Sequence, residues 1–347
     1  MSKIAHVVHP VVVPPTSDLT IAQPVTFRSM EMAREYARGK ADIELFTVKY
    51  ADEDPLTLRE ATRLPDLDRS VKDVASFEEQ RKLAILDDIL KRLYDHTDAE
   101  YLIYTNVDIA VLPHFYVLVR KIIEQGYDAF AINRRTISDR WQSPEELPFM
   151  YSDIGDPHPG HDCFVFKRSV YPKYILENLC IGTEWIARTL LTSVACNAEK
   201  YYEFKDLHAT FHIGDTRVWR TERYLDYSAH NKRIFLKACE HYDKQNRLAA
   251  FPDLMHRYQQ ALKHDIPSIF FALQKEREER RKAQAIAKGQ RPQSPRPQSP
   301  LEGKEKQLVE QQEQISALQK ELCAMKTIGG STKWLAGRML QKLGLKR

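Results

Sequence analysis

Two oxygen-bearing side chains one residue apart, Asn106 and Asp108, close the apolar run Tyr101-Leu-Ile-Tyr-Thr-Asn-Val-Asp-Ile109. In an extended backbone, residues i and i+2 point to the same side. This spacing therefore presents both groups together where the chain leaves a buried strand. Hard oxygen donors side by side suit Mg²⁺ or Mn²⁺, ions that keep positions open for the oxygens of a diphosphate. An ion held there would neutralise charge developing on a departing nucleotide diphosphate. The same pair also suits a plain strand-end turn capping a helix that begins near Pro113.

Positioning such a pair requires a buried strand among others, and the surrounding pattern supplies them. Lys3 to Val13 reads as a strand, Val25 to Arg38 as a helix and Ile43 to Val48 as a strand. Phe77 to Tyr94 reads as an amphipathic helix, with Leu83, Leu86, Ile89, Leu90 and Leu93 at helical spacing. The strand Tyr101 to Tyr104, the helix Pro113 to Gln125 and a strand from Tyr127 through Ile132 follow. Strands separated by helices predict the α/β class, with a single, mostly parallel sheet flanked by helices and ligands bound at the carboxyl ends of its strands.

The stretch from Arg81 to Asn133, "RKLAILDDILKRLYDHTDAEYLIYTNVDIAVLPHFYVLV" followed by "YDAFAINRR", resembles the nucleotide-sugar glycosyltransferases of the A-type fold. The resemblance implies a nucleotide-diphospho-sugar transferase-like sheet. It also implies metal-assisted transfer of a sugar from a nucleotide diphosphate donor to a hydroxyl acceptor, as in polysaccharide or glycoconjugate assembly. One departure stands out: Asn106 occupies the place of the first acid, so the site carries less charge. On the family pattern a His of a late strand completes the metal shell. His212, in His208-Ala-Thr-Phe-His212-Ile-Gly-Asp215, is the preferred match and His208 the reserve. Read without the family, His208 and His212 on one strand face could form a zinc pair, but no third zinc ligand lies nearby in the sequence.

Asp162, in Pro159-Gly-His-Asp-Cys-Phe-Val-Phe166, heads an apolar strand, where the family places an aspartate against donor or acceptor; a turn-forming role is the alternative. Ile181-Gly-Thr-Glu-Trp-Ile186 opens a helix with Thr183 as its expected cap. Glu184 is the general-base candidate, although Trp185 replaces the second acid of the family's pair. A first-turn glutamate also stabilises a helix without any catalysis. Arg69, Arg81, Lys82 and Arg134 are candidate diphosphate ligands, because a guanidinium meets phosphate in a forked geometry. Asp66 or Asp68 is the candidate contact to base or ribose. Each of these charges also suits a solvated surface.

The chain of 347 residues suggests about two units. Residues 1–273 read as the transferase-like domain, 274–302 as a basic helix and Pro-rich linker, and 303–347 as a coiled-coil segment with a basic amphipathic helix. In the linker, Arg291-Pro-Gln-Ser-Pro295 repeats as Arg296-Pro-Gln-Ser-Pro300. Leu308, Ile315 and Leu322, with Leu318 and Met325 beside them, form a short heptad pattern suited to self-association or to a single helix. Trp334, Leu335, Met339 and Leu343 face one way among basic residues. That arrangement suits peripheral contact with an anionic membrane or docking on protein.

A net charge of +4 argues against a nucleic-acid partner. The stretch His6 to Val13, broken by His9 and Pro10 with no small-residue cleavage site after it, argues against a signal peptide. The expectation is therefore a cytoplasmic protein whose five cysteines are free and mostly buried. Two other functions are compatible with such a sheet. Nucleotidyl transfer wants a glycine-rich loop after the first strand, where this chain has "HPVVVPPTSD". A non-catalytic scaffold with a degenerate transferase domain and a coiled-coil tail is kept open by Asn106.

Overall fold

Period-two alternation decides the centre of the molecule. Along Tyr101–Thr105 every residue is buried; Leu102 and Tyr104 join one apolar cluster and Tyr101 and Ile103 another, so this strand is covered on both faces. The computed structural model describes residues 2–215 and 221–263. The elements, in order, are β1 (Lys3–Val8), α1 (Leu19–Ala37), β2 (Asp42–Thr47), β3 (Thr62–Arg63), α2 (Leu86–His96), β4 (Tyr101–Thr105), β5 (Ala110–Val111) and α3 (Phe115–Glu124). Then come β6 (Ala129–Ile137), α4 (Leu147–Met150), β7 (Asp156–Lys167), α5 (Ile186–Asn197), β8 (Tyr201–Phe204), β9 (Thr210–Ile213), α6 (Leu225–Lys244) and α7 (Pro252–Lys263).

The strands order as β3-β2-β1-β4-β7-β6-β9-β5, with β8 also on β6. The sheet is mixed. β1 is parallel to β2 and β4, and β6 to β8 and β9, but β7 runs against both β4 and β6. Because β7 is antiparallel to both its neighbours, β6 runs with β4, and β4, β6 and β9 all present their carboxyl ends at one edge. Helices α1 and α3 cover one face through Phe27, Met30, Phe115 and Val119. Helices α2, α5, α6 and α7 cover the other through Leu90, Leu190, Phe235 and Leu254. No helix among the described residues is long and apolar enough to cross a membrane. Cys163, Cys180, Cys196 and Cys239 are free and buried.

Several sequence expectations need correction. The first strand ends at Val8, ahead of Pro10, rather than at Val13. The first helix begins at Leu19, where the Asp18 carboxylate accepts from the Leu19 amide, and carries Pro24 in its opening turns. The helix expected from Phe77 begins only at Leu86. Ahead of it the chain is pinned to α6: Phe77 stacks on Tyr227 at 3.9 Å, and the Glu78 and Arg81 amides donate to Asp226 and to the Tyr227 hydroxyl. Tertiary contacts thus override the leucine spacing. The basic helix, linker, heptads and terminal helix lie outside the described residues.

A fully buried histidine ties the site strand to β1 and to α3. His6 of β1 bonds the Thr105 hydroxyl through Nε2 and the Tyr116 hydroxyl through Nδ1, each at 2.9 Å. Burial disfavours its charged form and pushes its pKa down to about 3. The unfolded chain takes up this proton near pH 6.5, whereas the folded protein refuses it until about pH 3. Stability therefore falls as pH drops below 6.5, by about 1.4 kcal/mol per unit at the limit. His6→Gln, which cannot take up a proton, will show a shallower loss of denaturation midpoint between pH 6.5 and 4. Equal slopes in the two proteins would contradict this account.

Candidate active site

Three strand ends converge at the carboxyl edge. Asn106 and Asp108 follow β4, Arg134 lies near the end of β6, and His212 lies on β9 opposite Thr136 of β6. Asp162 of β7 joins them through a distortion in the sheet. Ile132 pairs with Cys163 but Asn133 pairs with His161, leaving Asp162 as an extra residue on β7. Such a bulge re-aims side chains. Here the Asp162 carboxylate accepts from Asn106 Nδ2 at 3.0 Å and from the Arg134 guanidinium at 2.7 Å.

Asn106 and Asp108 do not act as a matched pair. The Asn106 amide is spent on a bridge: its Oδ1 accepts from the Tyr104 hydroxyl at 3.1 Å while its Nδ2 donates to Asp162. Asp108 turns instead to His212, with Oδ2 3.2 Å from Nε2. Burial pushes the Asp108 carboxyl up, but the hydrogen bond and charge of His212, aided by Arg134, outweigh this and hold it below the usual range. For His212, burial pushes the pKa down and the Asp108 contact reverses the direction, leaving it raised. Its Nδ1 lies 2.9 Å from the Gly214 carbonyl, at a turn whose φ of +67° suits glycine. Asp215 lies 3.8 Å from both Arg134 and His158.

These contacts test the fit of a divalent ion. Nδ1–H donation to Gly214 leaves the lone pair of a neutral imidazole on Nε2, facing Asp108 Oδ2. Two lone pairs at that distance require a proton or a cation between them. Asp108 Oδ1 is, in addition, buried without a hydrogen-bond partner. Asp108 and His212 thus fit a metal, whereas Asn106 faces Asp162. Among the described residues no group of three or more His, Cys, Asp or Glu is arranged around one point, so these residues alone offer an incomplete shell. His208, the reserve ligand, precedes β9 rather than sharing its face with His212.

The remaining sequence candidates lie elsewhere. Arg69 makes a two-pronged pair with Asp88, both contacts at 2.8 Å. Arg81 lies over the Tyr224 ring and pairs with Glu79; Lys82 lies over the Tyr50 ring and pairs with Asp52 and Glu53. Asp66 pairs with Arg63, and Asp68 with Arg92. Glu184 is half-buried against α6, where the Ser228 hydroxyl donates to its Oε2 at 3.4 Å. The helix there is entered through Trp185 in a left-handed conformation (φ 74°), so Thr183 does not cap it. The Trp185 indole is buried and donates to Ser228, so it does not offer an open face for a sugar ring. Sequence reasoning missed Tyr104 as the partner of Asn106, and His161, Asn133 and Glu203 beside the bulge.

No family model and no curated protein matches the chain. Among solved structures, it is similar to S. aureus TarS 1–349 in complex with UDP-GlcNAc, with 10% identity, 72% of this chain and 73% of that chain covered, and a TM-score of 0.40. The same fragment in complex with UDP gives 11% identity, 72% of each chain and a TM-score of 0.39. A further S. aureus TarS structure gives 11% identity, 72% of this chain and 44% of that chain, with a TM-score of 0.33.

Proposed function

We propose that the chain is a glycosyltransferase that takes a sugar from a nucleotide diphosphate donor and transfers it to a hydroxyl acceptor, assisted by Mn²⁺ or Mg²⁺. One observation carries the reading: Asp108 and His212 meet at the carboxyl edge of the sheet, with Nδ1 of the histidine held by Gly214 and one buried carboxylate oxygen of Asp108 left unpartnered. Asp108 and His212 would hold the ion, which when bound supplies positive charge against a leaving diphosphate. The diphosphate itself would complete a shell that the described residues leave unfinished.

The chain's own residues set the stage for that chemistry. Gly214 orients the imidazole, and Asn106 and Arg134 fix Asp162 between β4 and β6. Asp162 would thereby serve as a frame residue on the donor side rather than as the proton acceptor. Arg134 is the cation of the sequence reading nearest the pair and would meet phosphate oxygens beside it. Arg69, Arg81, Lys82 and Asp66 would act only further along the donor, and each would first have to leave its present partner.

Calorimetric titration of the full chain with nucleotide sugars, beginning with UDP-GlcNAc, tests the reading with Mn²⁺ and again with a chelator. Binding that needs the cation is the expected result. Failure of every uridine and guanosine diphosphate sugar to bind would favour the scaffold function instead.

A further inference from the structure

Beside the bulge, a second group of polar residues, with His161 and Asn133 buried and Glu203 partly so, stands one position away from the frame. His161, 5% exposed, lies with Nε2 2.8 Å from Glu203 Oε1, and Asn133 Nδ2 donates to the same oxygen at 3.3 Å. Burial pushes the Glu203 carboxyl up, but the contacts from His161 and the charge of Lys205 outweigh this and keep it below the usual glutamate range. An ionised Glu203 accepts, so Nε2 carries the proton and Nδ1 the lone pair. His161 and Asn133 are the chain neighbours of Asp162 and Arg134. The imidazole is therefore held to the same β6–β7 distortion that frames the proposed donor site. A carboxylate-backed histidine of this kind is the arrangement in which imidazole takes a proton from a hydroxyl.

Resting on the reading of a glycosyltransferase, we infer that His161, oriented by Glu203, is the base that deprotonates the acceptor, in place of Glu184. The acceptor O–H bond breaks and its proton passes to His161 Nδ1. The oxygen's electron pair forms the new bond to the anomeric carbon, and the bond from that carbon to the diphosphate oxygen breaks, its electron pair leaving with the nucleotide diphosphate. Glu203 stabilises the imidazolium that results. The other charges around the pair are Lys205 beyond β8 and the mutually paired Arg134 and Asp162. Glu184, by contrast, is engaged with α6 through Ser228 and, at its carbonyl, Asn231.

The test uses the full chain with Mn²⁺ and a nucleotide sugar that binds, following release of nucleotide diphosphate from pH 5 to 9. His161→Gln and Glu203→Gln should leave donor affinity within about twofold and lower kcat about 100-fold. The acid limb of the kcat profile should vanish in His161→Gln and be altered in Glu203→Gln, whose amide no longer presents a carboxylate to the imidazole. A merely structural pair would change stability and leave that limb in place. Should His161→Gln fail to fold, Glu203→Gln carries the same readout. An unchanged profile with donor still bound overturns the base alone, as does an acid limb lost in Glu184→Gln but kept in His161→Gln. Absence of donor binding in the unmodified protein overturns the reading beneath it as well.

Discussion

Asp108→Asn should reduce transfer about 1000-fold and abolish the response of donor binding to Mn²⁺, with the fold intact. The substitution keeps the shape of the side chain and one oxygen toward His212, and removes only the charge. That charge does two things. It would contribute an anionic oxygen to the cation, and a preorganised electrostatic contact to a transferring group is typically worth about 10²–10³ in rate, with the lost metal adding to this. It also holds the His212 pKa up against burial, so in the variant burial acts without that opposing charge and the His212 pKa falls.

The second effect can be read without any substrate. Asp108, lowered in the folded protein, stabilises it above the ordinary carboxylate pKa, and that contribution is lost as pH falls through the folded value. His212, raised, stabilises below its ordinary pKa, and that contribution is lost as pH rises through the folded value. Metal-free protein should therefore show its widest gap in melting temperature between wild type and Asp108→Asn from about pH 4 to 6.5. Donor affinity and metal response unchanged in Asp108→Asn would remove the basis of the proposed function.

What the sequence made legible follows from range of interaction. β4 could be read because a strand covered on both faces must be apolar at every position, and the polar pair after it marks where cover ends. His212 was reachable from the resemblance, and the turn at Gly214 gives that histidine a local reason for its orientation. The bulge was not readable. Asp162 becomes the extra residue only because β7 is forced between β4 and β6, and no local signal in Pro159 to Phe166 encodes that register. The same holds for residues 77–85, where helical spacing lost to contacts with Tyr227 from a distant helix, and for Trp185, whose left-handed backbone is held by burial of its ring under Phe235. Local periodicity specified elements, and long-range packing specified which side chains of those elements meet.

Asn106 shows most sharply how that packing alters a motif, and it leads to an expectation opposite to the family pattern. Asn106→Asp restores the missing acid, yet it should impair the protein. The amide now donates to Asp162 at 3.0 Å; a carboxylate there would set two acceptors against each other, with Tyr104 donating to one and Arg134 to the other but nothing between them. Like charges so close cannot both remain ionised without penalty, and a buried polar contact turned repulsive costs about 2–4 kcal/mol. The direction with pH separates this from simple loss of a bond. A carboxyl pair forced to share a proton has one folded pKa raised, so the penalty is absent near pH 4, grows as pH rises above the unfolded value and is complete above the folded one. Asn106→Ala, which loses the bridge without adding charge, should be destabilised by less and to a similar extent across that range. The exchange Asn106→Asp with Asp162→Asn restores one amide and one carboxylate and should recover part of the stability at pH 8. If Asn106→Asp alone were as stable as the wild type at pH 8, Asn106 would not be the bridge that holds β4 to β7 at the site.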